Sequence, residues 1–245
     1  MYRIIRRIEI NSDSPKVFLA LILGVLAAVA LFNLVIIPLH NCVKYYFIRK
    51  FGDDTAYDNG LCTMRPRTNF HIVGAITSLF LNVGFAAPTY YDTENFTKPK
   101  LHSFIISMSG VLTYFLCFGL TYFMYSLLYK FEVMGINSFN AVDSGWGFGT
   151  YLYFSFYVLL NFLSLTCLYS AIFNLIPAFP LDMGDALYVY MPVNWQDNLR
   201  NNELAISLLL FVVAFLYLAV PPSGLICKIS EDIMTKYRML VEMMF

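Results

Sequence analysis

Five stretches of this chain contain no Lys, Arg, Asp or Glu: residues 17–39, 72–91, 103–129, 144–181 and 204–227. The hydrocarbon core of a bilayer is about 30 Å thick, and a helix needs about 20 apolar residues to cross it. Residues 17–39, 103–129, 151–175 and 204–220 are each predicted to form a membrane-spanning helix. Ser14 before Pro15 reads as a helix cap with proline at the first helical position. The run from 17 to 39 is too long for a signal-peptide core and lacks an A-x-A pattern after it, which predicts a retained span. Residues 72–87 are apolar but short and stop at Pro88, a pattern that fits a tilted or re-entrant segment as well as a full span.

Polar segments separate these runs at 49–70, 89–102, 130–149 and 182–203, with Gly52, Gly60 and Pro66 as punctuation in the first. In the tail, Ile229, Ile233, Tyr237, Leu240 and Met244 recur at helical spacing and predict an amphipathic helix at the membrane interface. The pattern as a whole predicts an all-α, polytopic transmembrane helix bundle. It has about five membrane segments, the amphipathic C-terminal helix, and a single domain over residues 1–245.

Composition supports that assignment and removes others. The chain is 59% hydrophobic and 13% charged, where a soluble domain carries about 25% charged residues. A soluble enzyme, a disordered chain and a secreted disulfide scaffold are all excluded. Sixteen basic residues balance sixteen acidic ones, so no nucleic-acid partner is expected. Lys and Arg also divide almost evenly between the two predicted sides, and the positive-inside rule leaves the orientation open. The five cysteines include no C-x-x-C pair and read as small buried hydrophobes.

Polar groups at membrane depth are costly and mark functional interiors. Three places qualify. His40 and Lys44 lie four residues apart, on one face, late in the first apolar helix. Asn174, Pro177, Pro180 and Asp182 mark where a later span breaks and then presents a carboxylate. Asn69 and His71 precede the short apolar segment. The plainer reading of each is a headgroup-level histidine, a snorkelling lysine and an ordinary loop carboxylate.

Taken in order, these motifs resemble the site-2 protease family of intramembrane zinc metalloproteases, in its compact bacterial-type branch. Such proteins carry H-E-x-x-H in the first core helix, where this chain has His40-Asn41-Cys42-Val43-Lys44. Gly60-Leu61-Cys62-Thr63-Met64-Arg65-Pro66 is similar to G-R-L-T-L-N-P, and Asn69-Phe70-His71-Ile72-Val73-Gly74 stands where H-x-D-P-x-G is usual. Gly84-Phe85-Ala86-Ala87-Pro88 stands at G-W-A-K-P, and Ser109-Gly110-Val111-Leu112 at A-G-P-L. Asn174-Leu175-Ile176-Pro177-Ala178-Phe179-Pro180-Leu181-Asp182 is similar to N-x-x-P-x-P-x-L-D.

The resemblance implies a zinc held by two histidines and an aspartate, with the motif glutamate as general base on the metal-bound water. His40 and Asp182 fall on two ligand positions. The base position is Asn41, whose amide takes no proton. The second histidine position is Lys44, an ammonium without a lone pair. No catalytic residue is therefore assigned, and no cofactor is expected.

The reading that follows is a pseudoprotease. Lys44, Asn69, Asn174, Pro177 and Pro180 would line a cavity that holds the transmembrane segment of a partner protein within the bilayer. The alternative is an active zinc endopeptidase with an altered ligand set, His71 serving beside His40 and Asp182. A third reading is a small transporter using Lys44, Asp182 and His40 as a relay. On the first reading, Lys44 is expected to reach Asp182 and stand in for the metal's charge.

Overall fold

The computed structural model describes residues 15–130, 147–219, 232–237 and 239. Ser14, most of the loop predicted at 130–149, and Ile229, Leu240 and Met244 of the tail lie outside the described residues. The chain begins with α1 (Pro15–Leu31), a π-helical turn (Phe32–Ile36) and α2 (Ile37–Lys50). These run on as one helix through Pro38. The π turn places Asn33 inward, where its Nδ2 donates to Val29 O (2.9 Å) and to Ser78 Oγ (3.0 Å). One inserted residue thus turns a polar side chain away from lipid and toward a neighbouring element.

Two short helices follow, α3 (Thr55–Asp58) and α4 (Pro66–Asn69), and then α5 (Ile72–Leu81). At 1.5 Å per residue, ten residues reach about 15 Å, half the hydrocarbon thickness. The helical part of the expected 72–87 segment is therefore too short to cross. Beyond Asn82, in the left-handed region at φ 56°, the chain runs without helix to a 3-10 turn at Thr93–Asn95.

The long helices α6 (Pro99–Lys130) and α7 (Phe148–Phe173) complete the centre of the bundle. Among the described residues, three helices are long and apolar enough to cross a membrane: Pro15–Lys50, Pro99–Leu128 and Phe148–Phe173. The ordering along α6 shows why: Tyr114, Phe118 and Tyr122 are buried, while Leu112, Leu116 and Leu120 are exposed. Both faces are apolar, one against protein and one outward, as a lipid-exposed helix requires. Close helix approach comes from small residues. A Cβ on Gly24 would stand 2.5 Å from Ser155 O, and Ser155 Oγ donates to Ala20 O across the same contact at 2.9 Å.

After α7 come α8 (Asp182–Tyr188), α9 (Val193–Asn201) and α10 (Glu203–Ala219). Where the fourth span was predicted, at 204–220, stands α10, which packs against α5 and, with 17 described residues, is not among those three. Residues 232–237 are helical, and Ile233, Met234 and Tyr237 pack on the main apolar core. Tyr237 Oη donates to Gly119 O at 2.9 Å, so this part of the tail is fastened to α6 through its apolar face.

The ends of the elements define one functional side. Phe51, just past α2, stacks on His102 at the start of α6, ring centroids 4.1 Å apart. Tyr90 Oη donates to Glu203 at the start of α10 (3.3 Å). The turn after α2, the loop at Tyr90 and the starts of α6 and α10 therefore gather at one end of the bundle, while Ser78 and Gly84 lie deeper, against Asn33 and Phe32.

Candidate functional site

His40 and Lys44 project from α2 one turn apart and are 1% and 2% exposed. Asp182 and Asp185 project from α8, three residues apart and so on one face, and are 3% and 5% exposed. The two helices meet through these four side chains. His40 Nε2 lies 2.8 Å from Asp182 Oδ2, and Lys44 Nζ donates to Asp182 Oδ1 at 2.8 Å and to Asp185 Oδ2 at 3.0 Å. The approach expected of Lys44 and Asp182 is present.

Asn41 decides the protons. Its Nδ2 donates to Ala87 O (3.2 Å), which turns its Oδ1 toward His40 Nδ1 at 3.0 Å. An amide oxygen only accepts, so Nδ1 must carry hydrogen. Nε2 then meets a carboxylate oxygen at hydrogen-bond distance, and one proton has to be shared between them. With that proton, His40 and Asp182 together are neutral, and Lys44 balances Asp185. Four ionisable groups are buried without an uncompensated charge, the condition burial imposes.

The surroundings hold this arrangement. Tyr114 stacks on the His40 ring at 4.5 Å. Gly110 of α6 passes so close that a Cβ there would stand 2.5 Å from His40 Nε2 and 2.9 Å from Asp182 Oδ2. Glycine at this position is a requirement of space. The α7 end is set by Asn174, whose Nδ2 donates to Ser170 O (2.8 Å) and Gly84 O (3.4 Å) and whose O accepts from Met183 N (3.0 Å). Asn174 thus positions α8.

The other sequence-predicted residues lie elsewhere. Asn69 Nδ2 donates to Thr63 O (2.8 Å) and Arg65 O (2.9 Å), closing a turn. His71 caps α5: its Nδ1 accepts from Gly74 N (3.2 Å), and its Nε2 lies 3.4 Å from Glu203 Oε1. Burial lowers its pKa against the opposing pull of Glu203. Both ring nitrogens are occupied away from His40 and Asp182. Pro177 is exposed and Pro180 is buried after a cis peptide bond.

The cavity at this end of the bundle, of about 480 Å³, is lined by the chain around Thr55–Leu61 and Pro88–Glu94 and by residues from Phe179 to Arg200. Lys44, Asn69, Asn174, Pro177 and Pro180 are not part of that lining. Asp185 is, and it joins the cavity to the buried cluster. Sequence reasoning missed Asp185, although its spacing of three from Asp182 was visible.

No family model matches the chain, and no solved structure matches it. Among curated proteins, the "Putative zinc metalloprotease YwhC" of Bacillus subtilis (strain 168) is 28% identical over 144 residues. The match covers 59% of this chain and 60% of that protein. The chain thus resembles a metalloprotease by name and carries membrane-compatible helices.

Zinc has to be tested on the donors present. Among the described residues, no group of three or more His, Cys, Asp or Glu side chains is placed to hold a metal ion. His40 offers both nitrogens to hydrogen bonds, both Asp182 oxygens are occupied, and an ammonium stands between the carboxylates. As arranged, these residues do not fit a zinc ion.

Proposed function

We propose that this chain is a multi-pass, single-domain pseudoprotease of the site-2 protease type, which binds a membrane-embedded segment of a partner protein and does not hydrolyse it. The observation that carries the reading is Lys44 Nζ, 2.8 Å from Asp182 Oδ1. In the family pattern, Asp182 and His40 would face a divalent cation. Here an ammonium and a shared proton supply the two positive charges, so the cluster closes electrostatically without metal.

Asn41 completes the argument. At the position of the general base it orients His40 through a hydrogen bond, and its amide has no site for a substrate proton. The site-2 motifs and the resemblance to YwhC support the scaffold, while the substituted residues support loss of hydrolysis.

The test is metal content and cleavage together. Purified protein, dialysed against zinc without chelator, is expected to carry well under one zinc per chain and to leave transmembrane test substrates intact. Stoichiometric zinc with cleavage abolished by Asp182→Asn would replace this reading with the altered-ligand protease.

A further inference from the structure

The cavity that Asp185 joins to the cluster carries chemistry of its own. Asp185 is 5% exposed, and its Oδ2 is bound to Lys44 while, among the described residues, no hydrogen bond reaches Oδ1. Thr89, 6% exposed, also lines the cavity, and its hydroxyl has no hydrogen-bond partner among the described residues. A buried hydroxyl without a partner and the open oxygen of a buried carboxylate therefore line one space. Buried polar groups of this kind are rare without a ligand or water to meet them.

The remaining wall narrows the ligand. Four aromatic residues, Tyr90, Tyr91, Phe179 and Tyr188, line the cavity. Two of those rings already attract a cation: the Arg200 guanidinium lies 5.3 Å from the Tyr90 centroid and 5.1 Å from that of Tyr188. Ring faces within about 6 Å of a positive group are attractive to it. With Asp185 set against Lys44, Asp92 and Glu94 in the lining still outnumber Arg200, so the field favours positive charge.

We propose that this cavity binds a primary ammonium group, which donates N–H bonds to Asp185 Oδ1 and Thr89 Oγ1 and rests on the tyrosine faces. A primary ammonium has three donors and no acceptor, which suits two unmet oxygens. The volume of about 480 Å³ lies within the range of small-molecule sites. The neighbouring helix α9 and the turn before it expose Tyr190, Val193 and Trp195 at 57%, 69% and 65%. Aromatic residues of this kind gather at the headgroup level of membranes. The ammonium therefore comes either from an ethanolamine lipid headgroup or from a free amine. The inference stands on the cavity alone and does not depend on loss of hydrolysis.

Propylammonium chloride titrated into the protein in maltoside micelles tests it, with 1-propanol as the neutral control. Saturation-transfer NMR and the thermal unfolding midpoint are read together. Propylammonium is expected to bind and 1-propanol to have no effect. Asp185→Asn and Thr89→Val should each weaken binding by about tenfold. Should Asp185→Asn disturb folding through Lys44, Thr89→Val carries the decision. Arg200→Gln, which frees the rings, should tighten binding. Equal binding of 1-propanol, no binding of propylammonium, or wild-type affinity in Thr89→Val would overturn the proposal. Repeating the titration in nanodiscs separates the sources. Loss of propylammonium binding in phosphatidylethanolamine but not in phosphatidylcholine assigns the site to the lipid headgroup, and equal binding in both assigns it to a free amine.

Discussion

Lys44 Nζ sits between two buried carboxylates, 2.8 Å from Asp182 Oδ1 and 3.0 Å from Asp185 Oδ2, so one ammonium ties α2 to α8 across 138 and 141 residues of chain. Asp182 also shares a proton with His40, which leaves Asp185 as the charge that Lys44 alone balances. Removing one partner of a buried pair costs about 3–5 kcal/mol. Lys44→Met is expected to lower stability by that order. Lys44→Met with Asp185→Asn should recover more than Lys44→Met with Asp182→Asn, because only the first leaves a neutral cluster. Thermal unfolding in detergent ranks the variants, and equal recovery in both doubles would contradict the charge assignment.

Restoring the two lost motif positions tests the scaffold. In Asn41→Glu with Lys44→His, the ammonium is gone, Asp182 Oδ1 is released, and the second imidazole stands one turn from His40. Zinc content after dialysis is expected to rise from near zero toward one per chain. A double variant with no more zinc than the parent would mean the helices have moved away from metal-binding geometry.

Gly110 supplies a steric test. A methyl group there would stand 2.5 Å from His40 Nε2, and overpacking of this kind costs about 1–3 kcal/mol. Gly110→Ala should therefore destabilise. Gly149, in the first turn of α7, has nothing within 4 Å of a built Cβ. Gly149→Ala should leave stability unchanged or raise it by up to about 1 kcal/mol, through helix propensity. Opposite signs for the two changes in thermal midpoint are expected.

Asp53 makes the loop at the site end acid-sensitive. It is 1% exposed and accepts from Thr55 N (3.0 Å), Thr55 Oγ1, Asp92 N (2.7 Å) and Asn95 Nδ2 (3.3 Å). Burial alone would raise its pKa, but these hydrogen bonds outweigh burial and lower it below the ordinary value of 3.8. The folded state thus favours the carboxylate. Its contribution is complete above the unfolded pKa and is lost as pH falls through the lower folded value. Protease nicking between residues 51 and 98 should increase below about pH 4. Asp53→Asn should show raised nicking at neutral pH and a flatter acid dependence, whereas a wild-type profile in that variant would remove Asp53 from the explanation.

Membrane character and the placement of the long helices were written locally in the chain. The charge-free runs 17–39, 103–129 and 151–175 correspond closely to helices Pro15–Lys50, Pro99–Leu128 and Phe148–Phe173. Hydropathy acts over one helix length, and backbone hydrogen bonds in lipid must close within the segment, so neighbouring sequence suffices to define it. His40 and Lys44 were legible as a pair for the same reason, through four-residue spacing on one helix.

Where a polar residue finds a partner far along the chain, the fold alone decided it. Asn69, His71 and Asn174 carry side chains as suitable for a cavity as for a turn. Asn69 and His71 bond backbone groups only three to six residues away, of Thr63, Arg65 and Gly74, whereas the Gly84 carbonyl that Asn174 bonds was brought to it across 90 residues by tertiary packing. The cavity wall comes from three separated segments between Thr55 and Arg200, which no periodicity relates. Asp185 joins the cluster because Asn174 aims α8 at α2 and Gly110 admits the contact. Which carboxylate a buried ammonium balances depends on distances across the whole bundle, and those exist only after the chain has closed on itself.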